Sequence, residues 1–127
     1  MRTLESLYWL GVKLITAEQD QFPAVNQWDP YDPGLDTGIA TRDALKALAG
    51  WLERNSMENY SGSTSLMIVP GYRFRIVDGM ITNFHMPQST LLLLVAAFAG
   101  ESWMSAYEYA LQHDFRFLSY GDACLFF

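Results

Sequence analysis

Apolar residues recur near the start of the chain at Leu4, Leu7, Tyr8, Gly11 and Leu14. This spacing of three to four predicts a helix over residues 2–14 with those positions on its buried face. Thr3 and Glu5 fall in its opening turn, and nothing ahead of Met1 caps it. The periodicity then stops. "QFPAVNQWDPYDPGLDTG" carries three prolines and two glycines, so residues 17–39 are expected to be loop, with Trp28 and Tyr31 as the side chains to pin it. Periodicity resumes at Leu45, Leu48, Ala49 and Leu52, which predicts an amphipathic helix in "TRDALKALAGWLERN" with Thr41 as its N-cap and Lys46, Glu53 and Arg54 on its solvated face.

The period changes in the second half. "SLMIV" is a short apolar run ended by Pro70-Gly71, and "YRFRIV" alternates Tyr72, Phe74 and Ile76 against Arg73, Arg75 and Val77. Asp78-Gly79 followed by "MITNF" predicts a β-hairpin with a two-residue type I′ turn. Residues 89–99 are apolar all round, which predicts a helix buried on most sides and stopped at Gly100. A helix over residues 101–113 is expected to bury Trp103, Tyr107, Ala110 and Leu111, with His113 as a cation at its end. "FRFLSYGDACLFF" contributes two strand-like runs around Gly121-Asp122. Strands interleaved with helices predict an α/β fold, a mixed sheet flanked by helices.

Composition narrows the partners. Eight Lys and Arg stand against 14 Asp and Glu, a net charge of −6, which argues against nucleic-acid binding through a broad basic face. A local cluster of Arg73, Arg75 and Arg116 remains compatible with that charge. The single cysteine, Cys124, excludes an internal disulfide framework and a cysteine-rich zinc site. The run at 91–99 is too short to span a bilayer, and no signal-like segment opens the chain, so no membrane partner and a cytoplasmic location are expected. Four Trp, seven Tyr and eight Phe exceed what one small core requires, so exposed apolar surface and self-association are expected.

The candidate chemistry lies in "TNFHMPQSTLLLLVAAFAG", where a polar loop runs straight into the apolar helix. Pro87 keeps Met86 out of the helical region, Gln88 or Ser89 offers an N-cap, and Thr90 begins the helix. Free backbone N–H groups at a helix N-terminus suit a phosphate or carboxylate, and Asn83, His85, Ser89 and Thr90 would surround one with donors. The same side chains could equally cap and brace the turn, and spacing leaves both readings open. Asp122, after Tyr120-Gly121, is a turn former that also has the chemistry of a base. No His, Cys or carboxylate cluster has metal-ligand spacing, and neither a Gly-rich phosphate loop nor a Gly-x-Ser-x-Gly elbow is present.

"VDGMITNFHMPQSTLLLLVAAFAG" closely resembles the signature of the S-adenosylmethionine:tRNA ribosyltransferase-isomerase family of queuosine biosynthesis. "RTLES", "PGYRFRIVDG" and "FRFLSYGDACL" resemble further family stretches in the right order. Gln88 stands where the family often has a basic residue, and Leu118 and Cys124 replace a usual Phe and Met. The resemblance implies that residues 1–127 are a single partial domain, the C-terminal part of a larger α/β domain. It implies a loop insertion at 17–39 and the absence of the family's β-barrel domain. It implies an enzyme that transfers and isomerises the ribosyl group of S-adenosylmethionine onto 7-aminomethyl-7-deazaguanine in tRNA, giving epoxyqueuosine. S-adenosylmethionine would be a co-substrate, with no prosthetic group, and tRNA the macromolecular partner.

That reaction needs a base, aromatic surfaces and cations. By residue chemistry the acid/base candidate is His85, and Asn83, Ser89 and Thr90 are candidate ribose or carboxylate ligands. Tyr72 and Tyr120 are stacking candidates, with Asp122 beside them in the substrate site. Arg73, Arg75 and Arg116 are phosphate candidates, and Arg2, Thr3 and Glu5 are expected along the same sheet edge. The other reading is a structural or binding module that keeps the fold without catalysis.

Overall fold

The computed structural model describes residues 1–17, 22–35 and 38–127, and the chain divides into two compact units, Met1–Met67 and Ile68–Phe127. In the first, helix α1 (Arg2–Thr16) packs on helix α2 (Thr41–Arg54). The contact is backbone to backbone: a Cβ on Gly11 would stand 2.0 Å from the Ala44 carbonyl oxygen. Of the expected face, Tyr8 and Gly11 are buried as predicted, and Leu7 and Leu14 are half-buried. Glu5, Tyr8, Trp9 and Val12 point inward, while Leu4 is exposed. In α2 the buried positions are Leu48 of the predicted stripe and Ala44, with Leu45 and Leu52 half-buried and Ala49 exposed. Ala40, not Thr41, holds the cap position of α2, with no side-chain cap bond.

The connection between these helices is loop apart from one 3-10 turn at Asp29–Tyr31; residues 18–21 and 36–37 of the expected insertion lie outside the described residues. It is held by Lys13, whose Nζ donates to the Ala24 carbonyl (2.7 Å) and pairs with Asp29 Oδ2 (2.6 Å). Tyr31 pins it as expected, its hydroxyl donating to the Met67 carbonyl at 3.2 Å. Trp28 is exposed and touches only the Tyr31 ring, at 5.8 Å, among the described ring contacts. "SLMIV" is not a strand. Ser65 Oγ donates to Val25 O and Met67 N–H to Gln27 O, so this run is bonded to the loop rather than to a sheet.

The second unit carries the sheet. Strand β1 (Met80–Asn83) is followed by helix α3 (Thr90–Ala99), helix α4 (Ser102–Gln112) and strand β2 (Ala123–Phe126). β1 and β2 pair antiparallel in the register Met80↔Phe126 through Asn83↔Ala123. The predicted hairpin of 72–77 with β1 is therefore overturned. A type I′ turn needs positive φ at both central residues, and neither Asp78 nor Gly79 has it. The expected mixed sheet is likewise replaced: among the described residues the protein is helix-rich with one two-stranded antiparallel sheet. "FRFLSY" forms no strand, because Leu118 takes a left-handed φ of 69° and Gly121 N–H closes a turn onto its carbonyl.

The two helices differ from expectation in burial rather than position. Ser89 caps α3, its Oγ accepting the Leu92 N–H at 3.2 Å, and Gly100 ends it at φ 56°. Only Leu94 and Val95 of α3 are buried, and Leu91 and Leu93 are exposed. In α4, Tyr107 and Ala110 are buried, whereas Leu111 is 69% exposed. Among the described residues no single helix is long and apolar enough to cross a membrane; α3 and α4 reach that length only as a pair bent by 118°.

Candidate functional site

The loop joining β1 to α3 is anchored at both ends. Its entry is Phe84, 3% exposed and surrounded edge-on or tilted by Tyr107 (5.1 Å), Phe117 (5.5 Å) and Phe115 (5.6 Å). Phe84 O accepts the Leu118 N–H at 2.8 Å, so the left-handed turn at Leu118 is part of the anchor. Its exit is the Ser89 cap of α3, preceded by Gln88 in a left-handed conformation at φ 65°. Such a φ is uncommon for a residue with a Cβ, and Pro87 before it restricts the loop further.

His85 sits between these anchors. Its backbone N–H donates to the Tyr107 hydroxyl at 3.0 Å, and its ring Nε2 lies 2.9 Å from Thr82 Oγ1. The side chain lines a cavity of about 610 Å³ whose other walls include Pro87, Trp103, Tyr107, Leu111 and Phe117. The chemistry of that lining is lopsided: aromatic and aliphatic surface, almost wholly apolar. Burial pushes the Tyr107 phenol up from its ordinary value, more strongly than the His85 N–H pulls it down, so it stays a protonated donor at neutral pH.

The other polar residues of the loop face elsewhere. Ser89, Thr90 and Gln88 line a neighbouring recess of about 270 Å³ at the N-terminus of α3, which shares Leu92 and Trp103 with the His85 cavity. Asn83 turns to the C-terminal turn, its Nδ2 donating to Gly121 O at 3.1 Å and to Asp122 O at 3.4 Å. There Asp122 Oδ2 accepts the Arg116 N–H at 2.8 Å, and Oδ1 pairs with the Arg116 guanidinium at 3.5 Å. The backbone N–H of Arg116, then its guanidinium, hold the Asp122 carboxyl below its usual range. Cys124 donates its thiol to Thr82 O at 3.4 Å, and burial raises its pKa.

Tyr120 is 96% exposed, whereas Tyr72 is buried with its ring edge-on to Phe74. Arg73 is exposed and Arg75 half-buried on segment 72–77. Arg2, Thr3 and Glu5 belong to the first unit, on α1; Glu5 is fully buried, and Thr3 borders a hollow of about 450 Å³ with Ser6, Phe22, Tyr60 and Thr64. Sequence patterning assigned Trp103 and Tyr107 to a core and Thr82 to nothing. Thr82 stands three residues before His85, and that proximity was the one available signal.

The family model described as queuosine biosynthesis protein matches residues 39–126. An S-adenosylmethionine:tRNA ribosyltransferase-isomerase of Aromatoleum aromaticum is 54% identical over 81 residues, covering 63% of this chain and 24% of that protein. Its namesake in Halothermothrix orenii is 46% identical over 92 residues, covering 72% of this chain and 24% of that one. The crystal structure of an S-adenosylmethionine tRNA ribosyltransferase from Thermotoga maritima is similar with a TM-score of 0.50 and 43% identity, over 63% of this chain and 30% of its own. The chain thus spans about a quarter of the length of the curated relatives it matches. The family match runs from before α2 through the His85 loop to the last residues of β2, and on that ground the chain belongs to the queuosine biosynthesis protein family.

Proposed function

We propose that this chain contributes part of the catalytic site of an S-adenosylmethionine:tRNA ribosyltransferase-isomerase, working within a longer protein of the family. Such an enzyme moves the ribosyl group of S-adenosylmethionine to 7-aminomethyl-7-deazaguanine in tRNA and isomerises it to epoxyqueuosine, with adenine and methionine leaving. The observation that carries the reading is His85 lining an aromatic-walled cavity of about 610 Å³. A sulfonium acidifies the C–H bonds beside it, and an imidazole within reach is the side chain suited to take such a proton near neutral pH. The walls of Trp103, Tyr107 and Phe117 suit a flat heterocycle.

The remaining roles follow the contacts. Ser89 and Thr90, beside the N-terminus of α3, offer donors to a ribose or a carboxylate. Exposed Tyr120 is a stacking surface, Arg73 and Arg75 are phosphate partners, and Arg116 shares its charge with Asp122. Asn83 and Asp122 act by bracing the turn that carries Arg116. Tyr72 acts by supporting the fold beside Phe74, and the α1 residues Arg2, Thr3 and Glu5 act within the first unit. S-adenosylmethionine is the co-substrate and tRNA the partner, the working location is the cytoplasm, and residues 1–127 belong to one larger α/β domain. Taken alone the chain lacks transferase activity and self-associates through exposed apolar surface.

The test is His85→Ala in a full-length family protein carrying this segment, with adenine release measured at saturating substrate and the thermal midpoint measured alongside. Loss of a general acid/base lowers turnover by roughly 10²–10⁴-fold. Normal turnover in the folded variant, with a lowered midpoint, makes His85 a brace and favours the reading of a structural module.

A further inference from the structure

Thr82 is the only described neighbour that hydrogen-bonds the His85 ring, and its hydroxyl has two contacts but one proton. Oγ1 lies 3.2 Å from the Asn83 carbonyl oxygen, which can only accept, and 2.9 Å from His85 Nε2, which accepts or donates according to the tautomer. A hydroxyl donates once and accepts from others. Both contacts are hydrogen bonds at the same time in one arrangement alone. Thr82 donates to the Asn83 carbonyl, and His85 Nε2 carries a hydrogen and donates to Thr82. In the neutral ring the lone pair then resides on Nδ1, which has no hydrogen-bond partner among the described residues.

We propose that Thr82 is a positioning residue that fixes His85 as its Nε2–H tautomer and so leaves Nδ1 as the proton acceptor of the ring. This rests on the reading of His85 as the site's acid/base, and it adds which nitrogen does the work and what holds it there. Thr82 is itself well placed for the task. It lies on β1, its carbonyl accepts the Cys124 thiol from β2, and strand pairing at Thr82↔Cys124 restrains its backbone.

The second histidine supplies an internal contrast. His113 Nδ1 lies 2.8 Å from the Tyr109 carbonyl oxygen, so in that ring Nδ1 must be the donor. The two histidines of the chain are thus expected in opposite tautomers. Long-range proton–nitrogen correlation of the chain labelled with ¹⁵N-histidine reads this directly in alkaline buffer, where neutral imidazole dominates, and His85→Gln assigns the signals. The expected spectrum has a pyrrole-type Nε2 and a pyridine-type Nδ1 for His85, and the reverse for His113. Thr82→Val should bring the two His85 nitrogens toward a common averaged shift, and Thr82→Ser should restore the separation.

A pyrrole-type Nδ1 in His85 of the unmodified chain overturns the proposal, whatever the variants do. So does an unchanged His85 spectrum in Thr82→Val. In a full-length family protein carrying this segment, Thr82→Val should lower turnover roughly tenfold to a hundredfold, the scale at which a misplaced reacting group is felt, with recovery in Thr82→Ser. If the tautomer is as expected but His85→Ala turns over normally, the assignment of the ring stands and the catalytic reading of His85 falls. The two failures are thereby separated.

Discussion

Tyr107 shows how one side chain serves both the core and the site. Its ring meets Phe84, Trp103 and Phe117, while its hydroxyl accepts the His85 N–H at the edge of the cavity. Tyr107→Phe keeps the ring and removes that acceptor, so a part-buried N–H is left unmet. The expected cost is about 1–3 kcal/mol of stability, measured by denaturant unfolding; an unchanged midpoint would mean that water replaces the phenol there. Asp122 gives a residue-scale prediction of opposite character. Its carboxyl is held below the ordinary range in the folded protein, so its contribution is complete above that range and is lost as pH falls through the lowered value. Acid should therefore loosen the turn at 116–122, detected as faster amide exchange of Arg116. Asp122→Asn should remove that acid dependence.

At the scale of elements, α1 and α2 approach closely at Gly11. A methyl group there would overlap the Ala44 carbonyl, which belongs to backbone and has no side chain to swing aside. Gly11→Ala, a substitution that favours an isolated helix by about 1 kcal/mol, is expected here to destabilise by about 1–3 kcal/mol or more. Thermal unfolding of the variant measures the sign, and a raised midpoint would contradict the helix contact. The same contact keeps Tyr8 and Gly11 of the predicted face covered and adds Glu5, Trp9 and Val12, while Leu4 is left exposed. Periodicity locates a helix, but the neighbour that can come close decides which face is covered.

The whole molecule carries apolar surface that its own elements leave open. Ile81 is 77% and Leu125 58% exposed although they are register partners in the sheet, and Leu91, Leu93 and Leu111 are exposed on α3 and α4. A sheet of two strands also keeps an outer edge on each strand, and such edges pair with other chains. Light scattering over a range of concentrations is expected to show a mass that rises with concentration. A constant monomer mass would exclude self-association. Substituting Ile81→Lys and Leu125→Glu together should lower the association without unfolding the chain, since both side chains already face solvent.

Local chemistry by itself determined the positions of the helices, both ends of α3 and the family. Amphipathic or apolar runs located α1 to α4, Ser89 capped α3, and Gly100 ended it, because these choices depend on a few neighbouring residues. Long contiguous motifs around His85 and Asp122 carried the family resemblance in the same way. Tertiary structure alone decided strand pairing and the geometry around His85. Asp78-Gly79 is a sound hairpin signal, yet β1 paired with a strand forty residues later, since pairing depends on which distant edge is brought alongside. The loop polar residues were legible as a group, but not their division. Folding turns Asn83 to the Asp122 turn, gives Ser89 and Thr90 a neighbouring recess, and sets His85 between Thr82 and Tyr107. Thr82 is only three residues from His85, but Tyr107 and the Asp122 turn lie far along the chain, and no spacing encodes where such distant segments meet.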